Sequence, residues 1–265
     1  MTGGSLVTNI VVAVKYVPDA TADRTFSSDN TVDRDNVDGL LSELDEYAVE
    51  QALQVVEAGE GEVTVLTVGP EDAADAVRKA LQMGADKGVH VVDDAIHGSD
   101  AFATSLVLAK AIEKLEYDFV FFGMGSTDGS MGIVPTLVAE RLGLPAVTFG
   151  SEVTVDGDSV TIRRDGDAAT QEISASGKVV VSVTDQTGEA RYPSFKGIMA
   201  AKKKPVDTWS LSDLGVDAGE VGLENAWTKV ESFEPRPPRT AGEIVTDEGD
   251  GGVKLVEFLA SKKFV

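Results

Sequence analysis

The chain has 265 residues, 42% of them hydrophobic and 26% charged, ordinary proportions for a globular protein with enough apolar material for a core. Forty-five acidic residues against 23 basic ones give a formal charge of −22, which argues against nucleic acid and anionic lipid as partners because phosphate would be repelled. Cysteine is absent, which excludes disulfides, thiolate metal sites and cysteine nucleophiles within the chain. The charge imbalance reads as adaptation to high salt, where self-repulsion is screened, with a merely acidic protein as the plainer alternative. No apolar run reaches the ~18 residues of a membrane span, so the chain is not expected to be membrane-embedded. The start, MTGGSLVTN, has neither the basic and apolar regions of a signal peptide nor the arginines of a transit peptide, which predicts a cytoplasmic location.

Residues 9–17 (NIVVAVKYV) form a nearly continuous apolar run, suited to a strand buried on both faces of a parallel sheet. Residues 46–57 place Ala48, Ala52 and Val56 four apart, with Glu46, Glu50, Gln54 and Glu57 opposite, an amphipathic helix. Strand-like runs return at 62–68, 88–92 and 118–122, and helical patterns at 73–83, 102–115 and 133–142, the last stopped by Gly143 and Pro145. The alternation predicts βαβ units, a doubly wound α/β fold with a parallel sheet and Rossmann-like ligand binding beyond the carboxyl ends of the strands. After Val147 the pattern changes. Asp156-Gly157 and Asp165-Gly166 signal hairpins, and residues 178–184 read as another buried strand. This assigns residues 1–205 to the α/β domain, with a polar loop at 185–205. Residues 206–265 are an extended tail that wraps the domain or a partner, with a short docking helix at 253–264.

Three constellations are candidates for function. The glycine-rich run GMGSTDGSMG at 123–132 follows a strand and opens a helix, so its backbone N–H groups suit a nucleotide phosphate. Its spacing matches neither the dinucleotide fingerprint nor a P-loop, and a plain βα turn is the alternative. Ser42-Glu43-Leu44-Asp45 precedes a helix and reads either as a capping box or as a loop beside a nucleotide. The segment at 185–205 carries Tyr192, Phe195, Ile198 and Met199 among polar residues and ends in Lys202-Lys203-Lys204. It reads as a protruding recognition loop with an apolar anchor, or as a loop packed back onto the domain with a solvated charge run. His90 and His97, the only histidines, lack metal-ligand spacing, and neither a nucleophile–base triad nor a metal site is indicated.

Together these segments resemble the beta subunit of electron-transfer flavoproteins. The resemblance runs through VVAVKYVPD at 11–19, LDEYAVEQAL at 44–53, VLTVGP at 65–70, ALQMGADKGVHV at 80–91, the loop and helix at 123–145, DLGVD at 213–217 and RTAGEIV at 239–245. Its most specific part is VTDQTGEARYPSFKGIMAAKKKP at 183–205. The resemblance implies an adenine-nucleotide-binding domain of the HUP type and an electron carrier, with no turnover by this chain alone. It implies an alpha subunit that mainly holds the redox FAD, and AMP, or a second FAD in bifurcating relatives, in the beta subunit. Electrons would come from acyl-CoA or other dehydrogenases and pass to a membrane quinone oxidoreductase.

By position, the nucleotide would meet Ala13, Ser42, Leu44, Asp45, Val68, Gly123, Asp128, Ser130, Met131, Gly132, Ile133, Val134 and Thr136. A partner would meet Arg191, Tyr192, Phe195, Ile198, Met199, Lys202 and Lys203, with Phe195 as anchor where relatives often carry leucine. Relatives commonly have Asn-Pro at Ser42-Glu43 and Gln-Val-Gly or Gln-Thr-Gly at Ile133-Val134-Pro135. The proline has no N–H for a phosphate, which moves the expected phosphate contacts to Ser130, Met131 and Gly132. A free-standing adenine-nucleotide-binding regulatory module is the competing function. A hydrolase or ligase lacks a nucleophile, base or metal cluster.

Overall fold

A computed structural model describes residues 7–239, 241, 242 and 244–265, so residues 1–6, Thr240 and Glu243 of the sequence reading lie outside the described residues. In chain order the elements are β1 (Val7–Ala13), β2 (Tyr16–Pro18), β3 (Gly39–Leu41), α1 (Glu43–Ala58), β4 (Glu60–Val68), α2 (Ala74–Met83), β5 (Lys87–Val91), α3 (Ala101–Ile112), β6 (Phe119–Gly123), α4 (Val134–Leu142), β7 (Ala146–Gly150), β8 (Glu152–Asp156), β9 (Ser159–Asp165), β10 (Thr170–Ser176), β11 (Val179–Val183), α5 (Phe195–Ala201), β12 (Val206–Trp209), α6 (Leu211–Leu214), α7 (Gly222–Asn225) and α8 (Gly251–Ser261).

Seven strands form one parallel sheet in the order β12-β5-β4-β1-β6-β11-β7. The strands are apolar along both faces because both faces are covered. Alternate side chains go to opposite layers. Ile10 and Val12 of β1, with Phe119 and Phe121 of β6 and Val179 and Val181 of β11, pack on α1 and α2. Val11, Val120, Phe122 and Val180 instead pack on α3 and α4. The chain leaves β1 toward β4 and β5 and then crosses to β6 on the other side of β1. The switch point therefore lies between β1 and β6, where open α/β sheets bind ligands beyond the strand ends.

Strand β7 reaches β11 through the antiparallel sheet β8-β9-β10, whose Val160 and Ile162 join the same core as α1 and α2. The hairpins at Asp156-Gly157 and Asp165-Gly166 form as the turn residues require, with Gly157 at φ 60°.

The structure differs from the sequence reading in three places. The apolar run at 9–17 is two strands, because Val14 and Lys15 leave the sheet and Tyr16–Pro18 pairs antiparallel with Gly39–Leu41. Strand β7, at residues to which the sequence assigned no element, joins the parallel sheet beside β11. Residues 206–231, read as tail, belong to the first of two compact units, which runs to Glu231. Here β12 adds an edge strand to β5, and Leu211, Leu214, Val216 and Val221 are buried. The second unit, Ser232–Val265, contains α8, which buries none of its residues.

Candidate functional site

The corner between β1 and β6 is built around two carboxylates. After Ala13, Val14 and Lys15 turn out of the sheet, held by Thr67 Oγ1 donating to Val14 O at 2.8 Å and Ser42 N donating to Lys15 O at 2.9 Å. Asp45, in the first turn of α1, is buried, and its carboxylate accepts from Lys15 N at 2.8 Å and from the Gly123 amide. Burial pushes the Asp45 carboxyl up to about 7, while those two N–H groups and the Lys15 charge oppose the rise. Gly123 is required by close approach, since a Cβ there would lie 2.5 Å from Asp45 Oδ1 and 2.6 Å from Leu44 O.

The glycine-rich loop continues the same corner. Its Asp128 side chain, 2% exposed, pairs with Lys15 Nζ at 2.9 Å and an Arg34 guanidinium nitrogen at 2.6 Å, and accepts from Gly129 N at 2.7 Å. Burial would raise the Asp128 carboxyl, but the Lys15 and Arg34 charges win and hold it far below the usual carboxylate range. Arg34 also reaches Tyr16 O, and Arg24 bonds Pro18 O and Thr127 O. The long 19–38 loop is thereby tied to the glycine-rich loop. Lys15 and Arg34 outnumber Asp128 by one charge in this trio, within a chain of net charge −22. Ser130 at φ 54° and Gly132 at φ 65° turn the loop into α4.

Ser42 Oγ and Thr127 Oγ1 are buried here without a hydrogen-bond partner among the described residues. Buried hydroxyls are ordinarily satisfied, so both are available to a bound polar group. The capping-box reading of Ser42 is corrected: its side chain accepts no helix N–H, and Asp45 turns back to β1 instead. Ala13 and Val68 end neighbouring strands of the same edge, while Met131 and Thr136 are exposed and Ile133 and Val134 half-buried. Pro135 lies in the first turn of α4, where a missing N–H costs no helical bond. A cavity of about 400 Å³ opens one strand along the same edge, lined in part by Met124, Phe149, Thr184 and Gln186.

The second surface is the 185–205 segment, which contains α5 where the sequence suggested an irregular loop. Ser194 caps it by accepting from Gly197 N at 3.0 Å. Tyr192 is 90% exposed, Phe195 82% and Met199 49%, with Ile198 beside them, a concentration of bare apolar surface that monomers rarely show. Lys202 and Lys203 are exposed, as a solvated charge run would be. Arg191 is tied back to the domain. Its guanidinium binds Glu50 at 2.7 Å and Glu57 at 2.6 Å, both on α1. Glu50, read as part of a solvated face, is accordingly buried. Lys204 likewise turns inward, onto Leu81 O, Gly84 O and Ala85 O at the end of α2. His90 is buried in β5 with Nε2 3.2 Å from Gly69 O, a structural position.

Residues 29–214 match the family model described as the electron transfer flavoprotein domain. The electron transfer flavoprotein subunit beta of Mycobacterium leprae is 47% identical over 266 residues, covering 98% of this chain and 100% of the relative. The chain belongs to the electron-transfer flavoprotein beta-subunit family. The subunit beta of Thermoanaerobacterium thermosaccharolyticum is 37% identical over 97% of this chain and 100% of its own length, and that of Bacillus subtilis 31% identical over 96% and 98%. Membership implies association with a flavin and the role of an electron-carrier subunit rather than a typical enzyme. The subunit naming of the relatives implies an alpha partner for the electron-transfer flavoprotein. Among the described residues, no helix is long and apolar enough to cross a membrane, and no cluster of three or more His, Cys, Asp or Glu could hold a metal.

Proposed function

We propose that this chain is the beta subunit of a heterodimeric electron-transfer flavoprotein that carries electrons from acyl-CoA or other dehydrogenases toward a membrane quinone oxidoreductase. The observation that carries the reading is the exposed apolar patch of Tyr192, Phe195 and Met199, which falls within the segment most specific to the family resemblance. A large exposed aromatic side chain flanked by the exposed Lys196, Lys202 and Lys203 suits an anchor in an apolar pocket of the donor. The redox FAD belongs mainly to the alpha subunit, and the flavin supplies the electron chemistry when bound. This chain's residues around Lys15–Asp19 and Leu44 form one wall of the flavin's surroundings.

The switch-point corner is the proposed seat of AMP, with a second FAD as the alternative occupant. Its orphan hydroxyls on Ser42 and Thr127, the excess positive charge of its Lys15, Arg34 and Asp128 trio and its position at the start of α4 all suit an adenine nucleotide. Asp128 is neutralised by its two cations, so it does not repel a phosphate. Backbone donors at Ser130, Met131 and Gly132 are the proposed phosphate contacts, since Pro135 has none to offer. The tail beyond Ser232, whose α8 leaves Val253, Leu255, Val256 and Phe258 uncovered, is proposed to pack on the alpha subunit. Its bare apolar helix and the docking patch would serve no purpose in a free-standing regulatory module. The chain is proposed to work in a cytoplasm of high salt.

The test is electron delivery. The purified heterodimer is mixed with an acyl-CoA dehydrogenase and its acyl-CoA, and bleaching of the flavin is followed. Phe195→Ser is expected to slow bleaching at limiting concentrations without changing flavin content. Equal rates in the two proteins would contradict the docking role.

A further inference from the structure

The docking segment contributes little to the core, yet it is fastened in three places. At its start, Arg191 is a five-bond clamp. Its backbone N–H and two guanidinium nitrogens donate to Glu50, and two guanidinium nitrogens donate to Glu57. The Glu50 side chain is 8% exposed, so this pair is screened far less by salt than a surface pair. In the middle, Gly197 rests on α2, and a Cβ there would lie 2.4 Å from Gln82 O. At the end, Lys204 Nζ donates to three carbonyls at the carboxyl terminus of α2, at 3.1, 3.0 and 2.6 Å. A cation at that position also meets the negative end of the helix dipole.

Between the fasteners sit Tyr192, Phe195 and Met199, which make the exposed surface. Pro193 restricts the backbone of Tyr192 to extended conformations. A surface loop with this many bare apolar groups would ordinarily collapse or fluctuate, and ordering it on binding would cost affinity. The two clamps remove that cost beforehand.

We propose that Arg191 and Lys204 are positioning residues, which hold Tyr192, Phe195 and Met199 in docking geometry before a partner arrives. The proposal rests on the reading of this segment as the donor-docking surface. Arg191 acts through Glu50 and Glu57 and does not itself touch the partner. Lysine is a poorer substitute, because its three ammonium donors cannot reproduce the two-nitrogen contact that the guanidinium fork makes with each of Glu50 and Glu57.

The experiment uses the complete heterodimer with Arg191→Met, Lys204→Met, Arg191→Lys and Phe195→Ser variants. Amide hydrogen exchange over residues 192–204 is measured, and turnover is followed with an acyl-CoA dehydrogenase and its acyl-CoA. Arg191→Met and Lys204→Met are expected to speed exchange and to raise the KM for the heterodimer, each by about tenfold, with kcat and flavin content unchanged. Arg191→Lys should recover only part of either effect. Phe195→Ser should raise KM without altering exchange.

Unchanged exchange in both methionine variants overturns the proposal. So does faster exchange with unchanged KM while Phe195→Ser raises KM, because the clamps would then not serve docking. An unchanged KM in Phe195→Ser removes the docking reading itself, and with it the purpose assigned to the clamps. If Arg191→Met fails to assemble, Glu57→Gln trims the clamp at its exposed end and is expected to give a smaller change in the same direction.

Discussion

Asp45 joins the end of β1 to the end of β6, so its replacement should perturb the corner where the nucleotide is proposed to sit. Alanine at this position leaves the buried N–H groups of Lys15 and Gly123 without an acceptor. At ~1–3 kcal/mol for each unsatisfied group, Asp45→Ala should cost about 2–6 kcal/mol. Asparagine keeps one acceptor and should cost ~1–3 kcal/mol at low pH.

The pH dependence is more diagnostic. The folded carboxyl is pushed up to about 7 from 3.8, so the folded state holds a proton that the unfolded chain has lost. Stability from this group is therefore fully present below about pH 4 and disappears as the pH rises through about 7. Roughly 3 pH units at ~1.4 kcal/mol each give at most ~4 kcal/mol. Urea unfolding of the purified chain and of Asp45→Asn between pH 4 and 8 isolates this group, because the other carboxylates are common to both. The cost of the substitution should vanish or reverse above pH 7. A difference between the two proteins that stays constant over the whole range would refute the assignment of a protonated Asp45.

Other consequences are open to simple measurements. Gly123→Ala forces a methyl against Asp45 and Leu44 O and should lower stability by ~1–3 kcal/mol in the same urea assay. Asp128→Asn should cost about 2 kcal/mol at neutral pH, less than breaking a fully buried pair, because Lys15 and Arg34 can turn to solvent. Asp128 titrates low in the folded state, so its contribution is present above about pH 4 and lost as acid protonates it. The Asn variant should lack that acid-sensitive step. With a net charge of −22, the thermal midpoint should rise steadily from about 0.1 M to above 1 M sodium chloride. A midpoint indifferent to salt would remove the argument for a high-salt habitat.

Local pattern decides structure over much of the chain. The apolar runs and the four-residue spacing of Ala48, Ala52 and Val56 correspond to β1, β4, β5, β6, β11 and α1. Tertiary context decides elsewhere. The VDTW strand at 206–209 has no apolar run, because an edge strand is covered on fewer sides. The α5 helix carries a glycine in its first turn, which lowers local propensity, although that glycine is what lets the helix sit on α2.

Side-chain partnerships across the chain were invisible for the same reason. Arg191 and Glu50 are 141 residues apart, and a glutamate at that helical position looks solvent-facing until the arginine covers it. Ser-x-x-Asp before α1 looks like a cap in any local reading, but Asp45 finds Lys15 on another element. Lys202, Lys203 and Lys204 are alike in sequence, and only the placement of α2 separates the third from the other two. By contrast, the βαβ alternation implied a parallel sheet with candidate loops beyond the carboxyl ends of its strands, while the neighbouring of β1 and β6 depends on a strand order that no local pattern carries.

The central claim is tested most directly by co-expressing this chain with its alpha subunit in high salt, purifying the complex, denaturing it and identifying the released nucleotides by chromatography. The account predicts a yellow complex of one alpha and one beta chain that releases FAD together with AMP, or with a second FAD in its place. A chain that purifies alone and colourless, with no flavin and no partner, would contradict it.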